Sequence, residues 1–86
     1  MPEIFRFFGI MIRMFFEDHE PPHFHAQYGA ASAKVSIASR ELTSGGLPPR
    51  ILALVREWAT LHEAELLDNW ARLRAKRPPF RIPPLE

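Results

Sequence analysis

The 86 residues are 47% hydrophobic and 24% charged, an ordinary globular mix that suits one domain and excludes both a disordered chain and a two-domain one. No apolar run reaches the roughly 18 residues of a membrane span, and the absence of cysteine removes disulfides, thiolate nucleophiles and cysteine zinc sites together. The formal net charge of +1 is too small to draw nucleic acid by bulk electrostatics.

Five of the seven phenylalanines lie in the first sixteen residues. Glu3 and Arg6 interrupt that apolar stretch, which argues against a signal peptide and, with the lack of cysteine, fits a cytoplasmic address. Glu3–Phe16 reads as two short strands meeting at Phe8-Gly9, or as one strand bent there. Ile10, Ile12, Met14 and Phe16 alternate onto one face, and Met11, Arg13 and Phe15 take the other. Both faces of this stretch are largely apolar. Helices cover one face of a small sheet, so the second is expected to meet a dimer mate, a partner protein or a folded-back terminus.

Glu17–Pro22 reads as a loop. His23–Tyr28 alternates again, with Phe24, Ala26 and Tyr28 on one side and His23, His25 and Gln27 on the other. Ser32–Ala38 sets Ala33, Val35 and Ile37 inward and Lys34 and Ser36 outward. Glu41–Ser44 reads as a short edge strand before Gly45-Gly46 breaks the chain. Pro48-Pro49 suits the first turn of a helix. Ile51, Val55, Trp58, His62, Leu66, Trp70 and Leu73 then recur at threes and fours, and Leu54, Leu61 and Leu67 widen the stripe. One helix to about Lys76 fits this period. The capping-box spacing of Thr60 and Glu63 favours two segments with a kink at Thr60. Pro78-Pro79 and Pro83-Pro84 leave an extended tail.

The chemistry concentrates in Asp18-His19-Glu20-Pro21-Pro22-His23-Phe24-His25, which holds three of the four histidines. On a strand, His23 and His25 share a side about 7 Å apart at the backbone. Two such imidazoles can share a divalent ion such as zinc, bracket a phosphate, or act as general acid and base. They can equally form a polar strand face or a dimer contact. A zinc site needs three or four protein ligands, and the segment offers His23, His25 and either His19 or Asp18. Adding His62 conflicts with the simplest packing: if Phe24 and Ala26 face the helices, His23 and His25 point away from them. A strongly curled sheet or a dimer would be needed; otherwise His62 is a buried histidine bonded to the backbone.

Arg72, Arg74, Lys76, Arg77 and Arg81 put five of the eleven basic residues in the last fifteen, and arginine outnumbers lysine nine to two. Such a cluster can touch RNA, DNA or an acidic partner, or simply complement a helix end. Trp58 and Trp70 read as core anchors. There is no phosphate-binding glycine loop, nucleophile elbow or dinucleotide fingerprint.

The run from Asp18 to His25, preceded by Phe7-Phe8-Gly9-Ile10 and Ile12-Arg13-Met14, resembles the signature of a small bacterial family, the domain of unknown function 4160. Glu57-Trp58-Ala59, Leu61-His62 and Glu65-Leu66-Leu67-Asp68-Asn69-Trp70 are similar to that family's second block, so the resemblance reaches to about Trp70. It assigns no catalytic residue. Family members are often encoded beside another small domain in pairs resembling toxin–antitoxin modules. The resemblance therefore implies a small cognate partner protein and a toxin-like role for this chain.

The expected fold is a single α+β domain over 1–86. An antiparallel sheet of three to five strands spans about 3–44, helices at about 48–76 pack on one face, and a Pro-rich tail covers 78–86. The expected function is one component of a two-protein toxin–antitoxin-like module, with Asp18, His19, His23, His25 and His62 as candidate ligand-binding residues and the His-rich strand as working surface. A toxin of this kind would most simply cleave RNA, with His23 or His25 as general base or acid and an arginine stabilising the charge that develops. The alternatives are a non-enzymatic binding or regulatory module, a divalent-metal protein holding its ion on His23 and His25, and a homodimer joined through the apolar N-terminal strands.

Overall fold

The computed structural model describes residues 3–15 and 21–79. Asp18, His19, Phe16 and the tail from Phe80 onward lie outside the described residues. Five strands come first: β1 (Glu3–Phe7), β2 (Ile10–Arg13), β3 (His23–Tyr28), β4 (Ala31–Ser36) and β5 (Leu42–Gly45). Two helices follow, α1 (Pro49–Leu61) and α2 (Glu63–Arg74). The strands form one antiparallel sheet in sequence order, β1-β2-β3-β4-β5. The chain is the α+β domain its patterning predicts.

Local chemistry sets the turns. Phe8 and Gly9 both have positive φ, 49° and 76°, which makes β1–β2 a two-residue hairpin of the primed type whose twist matches the strands. The stretch is therefore two strands and not one bent one. Gly29, at φ 59°, opens the equally short β3–β4 turn, since Tyr28 pairs with Ala31. Beyond β4, Arg40 at φ 61° closes a turn in which the Ser36 amide donates to the Glu41 carbonyl at 2.9 Å. That turn is tied to the helices: the Arg40 guanidinium meets Glu63 at 3.4 Å, and the Arg56 Nε donates to the Arg40 carbonyl at 3.0 Å.

One side of the sheet is the core. Ile10, Ile12, Met14, Phe24, Ala26, Val35 and Ile37 are fully buried beneath Val55, Trp58, Leu66 and their neighbours on the helices. The Phe24 and Trp58 rings meet edge to face at 6.0 Å. Tyr28, expected on this same face, is exposed because it ends β3 beside the turn glycine Gly9, past the reach of the helices. The last strand runs Leu42–Gly45 and not Glu41–Ser44, and Gly45 is part of it.

The helices depart from expectation at their junction. Pro48 caps α1 and Pro49 opens it, as a double proline favours. The break falls at His62, not Thr60, and no side chain caps the start of α2. Thr60 stays in α1, where its hydroxyl donates back to the Arg56 carbonyl at 2.8 Å, a bond that competes with capping. The break also turns Leu61 and Leu67 outward, so they are exposed instead of widening the buried stripe. The C-terminus of α2 is closed by Lys76 at φ 62°. The amide of Arg77 donates to the Arg72 carbonyl and that of Lys76 to the Leu73 carbonyl, the two bonds of a Schellman motif. Helix therefore ends at Arg74, before Pro78-Pro79 is reached.

Gly45 packs so tightly on β4 that a Cβ there would lie 2.3 Å from the Ser32 carbonyl oxygen, and its φ is 75°. Gly29 has a similar φ but open space around it. Gly45→Ala is expected to cost about 3 kcal/mol, against about 1 kcal/mol for Gly29→Ala. Thermal unfolding of the two variants checks this. Equal losses would show that steric contact at Gly45 contributes nothing beyond backbone conformation.

Candidate functional site

Alternation on β3 places His23 and His25 on one side, as the pattern predicts, with ring centroids 5.2 Å apart. Their surroundings nonetheless differ. His23 is 9% exposed. Its Nδ1 lies 2.9 Å from the Pro21 carbonyl oxygen, and its ring sits 5.3 Å from that of Trp70 on α2. The expectation that His23 points away from the helices is therefore corrected. It stands at the very start of β3, where Trp70 of α2 packs against it. The Arg74 guanidinium also lies over Trp70, 4.6 Å from the indole centroid, within cation–π range.

His25 is half-buried on the outer face. Its ring meets that of Phe15 edge to face at 4.6 Å. The stack thus runs Phe15, His25, His23, Trp70, Arg74, and it closes on itself, because Arg74 also donates to the Phe15 carbonyl at 3.4 Å. Arg74 is thereby brought to one end of the outer face. Arg72 instead pairs along its own helix with Asp68 at 3.6 Å.

Register assembles the rest. Arg13 on β2 stands opposite His25, His25 opposite Lys34 on β4, and Lys34 opposite Ser44 on β5, with Glu3 at the β1 end of the row. Adjacent strands are about 4.8 Å apart, so Arg13 and Lys34 flank His25 across about 10 Å of sheet. The Arg13 guanidinium donates to Gln27 Oε1 at 3.2 Å and to the Met11 thioether at 2.9 Å. Neither Arg13 nor Lys34 has an ion-pair partner among the described residues. This row borders a concavity of about 220 Å³ on the side the helices leave open. Its polar lining is Arg13, His25, Gln27, Ser32, Lys34 and Ser44, with Met11 and Phe15 as the large apolar members and no carboxylate. The outer face is thus cationic and polar with an aromatic end. The apolar reading of Met11 and Phe15 did not extend to β3 and β4.

His62 takes no part. It is the hinge between the helices, with its Nδ1 2.5 Å from Glu65 Oε1 and its ring 5.6 Å from that of Trp58. The partner of that Nδ1 is thus a carboxylate one helical turn on, not the backbone. Among the described residues no three of His, Asp or Glu converge as metal ligands. Arg13 and Lys34 escaped sequence reasoning because they are distant in the chain. Alternation puts each outward, but only pairing register puts them beside His25.

The two histidines should separate in a stability measurement. His23→Ala is expected to cost about 2 kcal/mol through loss of the Trp70 contact. His25→Ala should cost under about 1 kcal/mol. Chemical denaturation of both variants checks the order, and a larger loss at His25 would make it the structural member of the pair.

No curated protein matches the chain, and no solved structure does. Among the described residues, no helix is long and apolar enough to cross a membrane. Residues 9–71 match the family described as domain of unknown function DUF4160, a span that takes in β2 through most of α2 and every residue of the outer row except Glu3, and the chain belongs to that family.

Proposed function

We propose that this chain is a cytoplasmic component of a two-protein toxin–antitoxin-like module and that it works as a ligand-binding protein through the outer sheet face centred on His25. One observation carries the reading: Arg13 and Lys34, without ion-pair partners among the described residues, flank His25 on the side of the sheet that the helices leave open. Like charges gathered on one sheet face are unfavourable. An anionic ligand lying between them relieves that cost and gains two charge-assisted contacts.

If the module breaks a bond, His25 is the histidine suited to moving the proton. It lines the concavity beside an arginine able to stabilise developing negative charge. His23 serves the same site from behind, by holding His25 and Trp70 in place. A non-enzymatic regulator would use the same face for binding alone. A zinc reading would need a third ligand beside His23 and His25, and its candidates, Asp18 and His19, lie outside the described residues.

Expression of the chain alone, and together with the product of the adjacent gene, tests the proposal. Growth arrest by the chain alone, relieved by the partner and abolished by His25→Ala in a protein that still unfolds cooperatively, is the expected result. Arrest undiminished in His25→Ala would remove the outer face as the working surface. Co-purification without arrest in any arm would make the chain the regulatory half.

A further inference from the structure

The concavity beside His25 is lined by residues of all the strands from β2 to β5. At about 220 Å³ it is smaller than the roughly 300–1,000 Å³ of sites that engulf a small molecule. It suits an extended ligand laid across the strands. Its charged lining residues are basic. Its aromatic end is built from Phe15 and His25, whose rings meet at 4.6 Å. Arg74, bonded to the Phe15 carbonyl, leads from that end toward Lys76 and Arg77, both exposed. Outside β1, the described carboxylates lie elsewhere: Glu57, Glu63, Glu65 and Asp68 on the helices and Glu41 in the β4–β5 turn.

We propose that the ligand of this face is a single-stranded nucleic acid, its phosphodiester backbone crossing the strands over Arg13 and Lys34 and its bases lying against the Phe15 and His25 rings. The inference rests on the outer face being the working surface, and it adds the ligand's chemistry. Cations that track a backbone, combined with rings that accept any base, are the two requirements for binding single strands. An open sheet face with aromatic residues meets unpaired bases, whose flat faces are available for stacking. Duplex recognition would call for an element that enters a groove, and both helices are committed to the opposite side of the sheet. A net charge of +1 does not oppose this, because Arg13 and Lys34 line a concavity that holds no carboxylate. Gln27, Ser32 and Ser44 supply neutral hydrogen-bonding groups beside the backbone path.

Fluorescence anisotropy with the full chain and labelled oligouridine and oligothymidine of about twelve nucleotides tests it, with a duplex and polyglutamate as competitors. Saturable binding is expected with Kd below about 100 μM at low salt, weakening as salt rises. Lys34→Gln, an exposed position where folding is not at risk, should weaken binding at least fivefold and lower the slope of log K against log salt by about 0.7. Phe15→Leu should weaken binding about fivefold or more while leaving that slope unchanged. Arg50→Gln on α1 should bind as the parent does.

Absence of saturable binding, a Lys34→Gln variant equal to the parent, or a duplex that binds more tightly than the single strand would each overturn the inference. Polyglutamate competing as well as oligouridine would also overturn it, in favour of an acidic peptide. Loss of growth arrest in His25→Ala without oligonucleotide binding would leave the outer face standing and remove only the nucleic acid. Oligonucleotide binding lost in Lys34→Gln, with arrest undiminished in His25→Ala, would support the ligand and remove the outer face as the source of the arrest.

Discussion

Ile12, Ala26 and Ala33 stand opposite one another on β2, β3 and β4, and Gly45 completes that row on β5. The first two are fully buried and Ala33 nearly so. Because side chains alternate along a strand, burying this row forces the next one, Arg13, His25, Lys34 and Ser44, onto the opposite side. A slip of one residue between any two strands would carry charge into the core and apolar side chains into water. The outer face is therefore held in register by the energetics of the inner one. The small side chains of Ala26 and Ala33, with no Cβ at Gly45, keep that row close to the backbone. Phe24 and Trp58 fill the space beside it.

The two faces meet at one end of the sheet. There Trp70 of α2 contacts both His23 and Arg74. This contact joins the helical layer to the first residue of β3 and, through Arg74, to the end of β2. His23 is consequently an anchor. Its burial against an indole uses the ring as a flat, partly polar packing surface, while its neighbour two residues on faces the concavity. A histidine pair that looks symmetrical along the chain is divided between a buried anchor and a half-buried ring on the outer face.

A small domain leaves much of its surface without internal partners. Here the described carboxylates outside β1 lie on the helices or in the β4–β5 turn, and several are engaged locally: Glu63 with Arg40, Glu65 with His62 and Asp68 with Arg72. Arg13 and Lys34 have no such neighbour among the described residues. The near-neutral total thus conceals a polarised molecule, with a basic sheet face set apart from a mixed helical one. Net charge describes solubility and long-range attraction, whereas a local groove is set by where the charges stand.

Much of this was legible in the residues. Alternation over His23–Tyr28 and Ser32–Ala38 gave the strands and their buried sides, the doubled prolines at 48 and 49 gave the start of α1, and the signature from Asp18 to His25 led to the family. Local pattern determines these because alternation, helical period and turn chemistry act within a few residues. The helix break was displaced by two positions, because the Thr60 hydroxyl had a carbonyl within its own helix to bond. The partition of His23 from His25, and the gathering of Arg13 and Lys34 around the latter, were decided only by the folded chain. Both depend on which residues of distant segments come to lie opposite each other, and strand register and the contact of Trp70 with His23 are set by packing the whole core at once.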